Sequence, residues 1–158
     1  MKFLCDQMLG TLAKWLRIYG FDTFYANSKI TDEGLIEISK DEKRILISRD
    51  KELIQIAKRE NIKTIELKTI DIDEQIISVL KVLKFNKSQI LSRCIICNSE
   101  VEEINKNEIK EKVPKKVFEN NEEFWYCKTC NKIYWKGSHY EKMIEKIYKI
   151  KKRAMAKK

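Results

Sequence analysis

Proline occurs once in this chain of 158 residues, at Pro114, and histidine once, at His139. A single histidine excludes mechanisms built on histidine pairs, and His139 reads first as a hydrogen-bonding side chain. No apolar run approaches the roughly 20 residues needed to cross a bilayer, so no membrane association is expected. The opening MKFLCDQML has its apolar run broken by an acid at Asp6 and lacks a signal-peptide pattern. A cytoplasmic location is therefore expected. Internal repeats are also lacking.

What is present is charge, unevenly placed. The net charge is +9. Residues 1–91 hold 16 Lys and Arg against 14 Asp and Glu, whereas residues 92–158 hold 17 against 10. Within the second part, 142–158 carries 8 basic residues and 1 acidic one. A basic block of this kind attracts polyphosphate backbones by releasing their counterions. The bland alternative is a solvated terminus that aids solubility.

Apolar patterning over the first 85 residues alternates short strands with amphipathic helices. Lys2–Cys5, Phe21–Tyr25, Arg44–Ser48 and Thr64–Leu67 read as strands. Between them, Leu9, Leu12, Ala13, Leu16 and Tyr19 recur at helical spacing until Gly20 stops the helix. Further helices open at Thr31 or Asp32, at Asp50, and at Asp71 or Asp73. Strands alternating with helices predict an α/β fold, a parallel sheet flanked by helices. A final helix is expected from Ser138 into the basic tail, and Pro114 lies in the charged stretch before it.

Five cysteines, an odd number, point to metal rather than disulfides where no secretory signal is seen. Cys94–Cys97 and Cys127–Cys130 form two C-x-x-C pairs with 29 residues between them. Two such knuckles complete a tetrahedral sulfur site for one Zn2+ ion, structural because no coordination position stays open. A redox dithiol is the competing reading. Cys5, in an apolar strand, is expected to be a buried packing residue.

Asp6 directly follows the first strand and Asp50 the third, which puts both at one edge of a parallel sheet. Asp32 can reach the same edge from the head of the second helix. Three carboxylates there repel one another unless a hard cation, Mg2+ or Mn2+, sits between them. The competing reading makes Asp32 and Asp50 ordinary helix caps. Lys14, Arg17 and Arg49 lie nearby in sequence, as candidates to bind phosphate or to balance the acids.

The runs FLCDQMLGTLAKWLRIYGFD, ILISRD, SRCIICN, VPKKV, FWYCKTC and YWKGSHY together resemble the PIN-like ribonuclease family called Mut-seven-C. The resemblance spans roughly Met1 to Met143. It implies a PIN-like nuclease domain with a zinc ribbon at its C-terminal side. Asp6, Asp32 and Asp50 match the family's metal-binding acids, with Glu33 as the alternative third acid on the helix, and Cys94, Cys97, Cys127 and Cys130 match its ribbon ligands. The expected organisation is a nuclease domain over 1–88, a ribbon over 89–140 and a basic helical tail over 141–158. The expected activity is metal-dependent hydrolysis of RNA, with Trp125, Tyr126, Tyr134 and Trp135 as packing residues or base-stacking surfaces. The alternative is a non-catalytic RNA- or ribosome-binding protein.

Overall fold

A computed structural model describes residues 1–84 and 86–156, so the last two residues of the expected basic tail lie outside it. The chain divides into two compact units, Met1–Asn98 and Ser99–Lys158.

The first unit begins with β1 (Lys2–Cys5), a short 3-10 turn at Gln7–Leu9 and α1 (Gly10–Ile18). It continues through β2 (Asp22–Tyr25), α2 (Asp32–Asp41), β3 (Ile45–Ser48), α3 (Lys51–Arg59), β4 (Thr64–Glu66) and α4 (Ile72–Leu80). The strands pair in the order β2-β1-β3-β4, all parallel. This is the α/β arrangement that the alternating pattern predicts.

Alternation along each strand divides the core. Leu4 and Leu46 join Leu35, Leu53 and Ala57 of α2 and α3 on one face. Phe3 and Cys5 therefore point to the other face, where Phe3 meets Phe21 edge-on at 5.6 Å. Phe3, Leu4, Cys5, Leu46 and Ile47 are fully buried. Burying each large apolar side chain contributes about 1.5–3 kcal/mol. Cys5 is the packing residue its sequence context suggests, and burial pushes its thiol well above the usual range.

Local signals set the helix ends. The Phe21 N–H donates to the Leu16 carbonyl and the Gly20 N–H to that of Arg17, both at 2.9 Å, a Schellman stop with Gly20 at φ 89°. Thr31, not Asp32, caps α2, accepting from the Gly34 N–H at 3.1 Å. Asp71, not Asp73, caps α4 through the Glu74 N–H at 2.9 Å.

The second unit holds an antiparallel sheet of β5 (Glu102–Ile104), β6 (Phe124–Cys127) and β7 (Lys132–Trp135). α5 (Lys115–Asn120) lies between β5 and β6 in sequence and starts after Pro114, whose fixed φ suits a helix entry. The long helix α6 (Ser138–Ala156) buries Ile147, Ile150 and Ala154 along one stripe. Among the described residues no helix is long and apolar enough to cross a membrane.

Candidate active site and metal centre

Parallel strands carry their C-terminal ends to one edge of the sheet, and a cleft opens there. It is lined by Asp6, Gln7, Met8, Ala26, Asn27, Ile30, Asp32, Leu35, Asp50 and Leu53. The three aspartates singled out in the sequence thus share one cavity. Of the two neighbours Asp32 and Glu33, Asp32 lines it and Glu33 does not. With Thr31 as cap, Asp32 occupies the first helical position, where a negative charge also suits the helix dipole.

Asp6 is nearly buried, at 6% exposure. Its Oδ1 accepts from the Met8 N–H at 3.0 Å, and its Oδ2 accepts from the Ser48 hydroxyl. The Ser48 oxygen in turn accepts from the Asp50 N–H at 2.9 Å. Asp50 caps α3 with Oδ1, taking the N–H groups of Glu52 and Leu53 at 2.9 and 3.3 Å. Capping and cavity lining are therefore compatible in the same residue. Burial pushes the Asp6 carboxyl above its ordinary range. The Ser48 hydroxyl and the Met8 N–H work against that, while the Asp50 and Asp32 charges add to it.

Ser48 is not among the candidates that the sequence supplies. The available signal is a hydroxyl ending the otherwise apolar run ILIS, two residues before an acid. Such a side chain, fully buried here, needs a partner.

The basic candidates fall elsewhere. None of Lys14, Arg17 and Arg49 lines the cavity. Lys14 is exposed on α1 and Arg49 is half-buried beside Asp50. Arg17, a candidate to bind phosphate or to balance the acids, directs its guanidinium to main-chain carbonyls. Its Nε donates to Thr23 at 3.0 Å, and its Nη1 to Ile95 and Ile96 at 3.1 and 3.0 Å. Burial lowers its pKa, while Cys97, Cys5 and Cys94 nearby favour its charge.

The ligand atoms of Cys94, Cys97, Cys127 and Cys130 all lie within 4.8 Å of one another. Sulfurs of a tetrahedral zinc site with bonds near 2.3 Å stand about 3.8 Å apart. The four thiols are unbridged, with Cys94 and Cys127 buried, so the donor set fits zinc. Each pair is followed by an asparagine in the left-handed conformation, Asn98 at φ 72° and Asn131 at φ 56°. Asparagine tolerates that region better than most side chains.

The aromatic residues of the small sheet divide by strand alternation. Trp125 pairs with Tyr134 on one face, while Phe124 pairs with Trp135 on the other. Phe124 is fully buried. Trp125, Tyr126, Tyr134 and Trp135 are each half-buried. Lys136 lies 5.4 Å from the Trp125 ring centre and Lys132 lies 5.5 Å from that of Tyr134, within cation–π range.

No curated protein and no solved structure matches the chain. A family model described as the Mut7-C RNAse domain matches residues 1–147. An α/β chain with acids gathered at one sheet edge and four clustered cysteines, matched over nearly its full length, belongs to the Mut7-C RNAse domain family.

Proposed function

We propose that this protein is a metal-dependent ribonuclease that hydrolyses RNA phosphodiester bonds at the cleft framed by Asp6, Asp32 and Asp50. The observation that carries this reading is the composition of the cleft: three aspartates line it and, among the described residues, no lysine or arginine does. Like charges gathered without a basic partner favour a hard divalent cation, Mg2+ or Mn2+. When bound, the ion supplies an activated water and offsets charge developing on the scissile phosphate.

The chain's own groups set the geometry. Ser48 fixes the Asp6 carboxylate from one side and the Met8 N–H from the other. Asp50 is held by its own cap bonds, so its carboxylate does not have to be ordered on binding. Ala26, Ile30, Leu35 and Leu53 supply apolar walls. Apolar walls lower the local dielectric and strengthen the pull of the acids on a cation. Gln7 and Asn27 offer neutral amides that can hydrogen-bond water or a sugar–phosphate oxygen.

RNA as substrate rests on the family. In this reading residues 1–88 form the nuclease domain and 89–140 the ribbon, with a structural zinc on the four cysteines. The basic tail, 141–158, attracts the RNA backbone.

Cleavage of a mixed-sequence RNA with Mn2+, compared with Asp6→Asn and Asp50→Asn, tests the reading. Both variants are expected to fall to background. Equal residual cleavage by wild type and variants would remove the nuclease reading. Salt-sensitive RNA binding that survived in that case would leave a non-catalytic RNA- or ribosome-binding protein.

A further inference from the structure

β2 is the terminal strand of the parallel sheet, so among the described residues one side of it has no strand partner. N–H and C=O groups exposed along such an edge invite pairing with other chains unless something covers them. Backbone groups of one residue in a strand point to the same side, and those of its neighbours to the opposite side. Thr23 directs both of its groups outward from the sheet, and both are taken. Its N–H donates to the Asn98 side-chain oxygen at 2.9 Å, and its carbonyl accepts from Arg17 Nε at 3.0 Å.

The same two side chains grip the first cysteine knuckle. Arg17 Nη1 donates to the carbonyls of Ile95 and Ile96, the two residues between Cys94 and Cys97. Asn98 closes the knuckle by donating its N–H to the Cys94 carbonyl at 2.9 Å. The Asn98 amide also donates to Asp22 at 2.7 Å, and Asp22 is paired with the buried Arg44 at 2.8 Å. The knuckle is thus fastened at three points to α1 and β2, all within residues 1–98.

We infer that Arg17 and Asn98 are positioning residues for the zinc site, locking its first knuckle over the open edge of β2, so that zinc occupancy governs the order of that edge. Metal-ligand geometry depends on the groups that hold the ligands, and their loss costs about 10–100-fold in metal affinity. In the other direction, a knuckle without its ion loses the turn that presents Asn98 and the two carbonyls. Thr23 would then be uncovered. β2 leads into the acid cleft, because the Ala26 N–H donates to the Cys5 carbonyl at 2.9 Å and Tyr25 Oη donates to that of Gln7 at 2.7 Å. The inference rests on zinc at the four cysteines and stands apart from the nuclease activity.

The test uses the full chain. Elemental analysis comes first: about one zinc per chain is expected, and absence of zinc would overturn both the zinc reading and this inference. Hydrogen exchange at the Thr23 amide is then compared in zinc-loaded and chelator-stripped wild type. Exchange is expected to rise at least tenfold on stripping, while the Leu46 amide in the central strand stays protected. Equal Thr23 exchange in the two states would overturn the inference while leaving the zinc reading intact.

Competition against a chromogenic chelator gives the second readout. Arg17→Gln and Asn98→Gly are each expected to release zinc with about 10–100-fold lower affinity. Glycine keeps the backbone at φ 72° without strain, so Asn98→Gly removes only the side-chain bonds. Arg17→Lys is not expected to restore affinity, because one ammonium cannot reproduce a planar fork spanning three carbonyls. Unchanged zinc affinity with equal losses of Tm in the loaded and stripped forms would reduce both residues to general stabilisers and overturn the assignment.

Discussion

Ser48 joins two acids that the sequence separates widely, through one hydroxyl that donates to Asp6 and accepts from the Asp50 N–H. Ser48→Ala keeps the buried volume almost unchanged and removes both bonds. Mn2+ affinity, read by titration calorimetry, is expected to drop about 10–100-fold with the circular dichroism unchanged. Asp6 itself is a functional cost to the fold. Burial and its acidic neighbours raise its carboxyl above the unfolded value. Above the folded value its charge therefore weakens the native state. As pH falls through that value toward the ordinary carboxylate range, the folded state takes up the proton first and the weakening fades. Asp6→Asn is accordingly expected to raise Tm at neutral pH without divalent ions. Its advantage over wild type should shrink on acidification, as thermal scans across that window would show.

Elements place these residues through their ends. α1 stops at Gly20 because the chain must turn with a positive φ and pass close to the Gln89 backbone. A Cβ there would stand 2.0 Å from the Gln89 carbonyl oxygen. Gly20→Ala meets both backbone strain and that backbone atom, and is expected to destabilise by more than about 1 kcal/mol in urea unfolding. At the head of α2, Thr31 takes the capping role and leaves Asp32 for the cleft. Thr31→Ala should cost about 1 kcal/mol of stability. Weaker Mn2+ binding should accompany it if the frayed first turn lets Asp32 drift.

For the whole molecule, the charge asymmetry predicts how RNA binding responds to salt. Lys142, Lys149 and Lys152 are exposed on α6, with Lys149 paired to Glu145 at 3.4 Å. Changing all three to glutamine should flatten the log–log salt slope of single-stranded RNA binding by about 2, at about 0.7 for each phosphate that a lysine no longer neutralises. Cleavage at saturating RNA should change little. An unchanged slope would mean that the tail is a solvated helix and no more.

Residue pattern alone determined the parallel α/β layout, because alternation of short apolar strands with amphipathic helices leaves few other ways to bury both. It also determined the four cysteines, whose spacing is local chemistry, and the edge at which Asp6 and Asp50 emerge, which follows from the direction of parallel strands. Tertiary structure alone decided between Thr31 and Asp32 as the cap, and hence between Asp32 and Glu33 at the cleft. It alone placed the Arg17 guanidinium on the carbonyls of the cysteine knuckle, and it alone revealed Ser48. Those outcomes depend on where a side chain points once distant segments meet. A positive charge on a helix carries no mark of whether a phosphate or a row of carbonyls will stand before it.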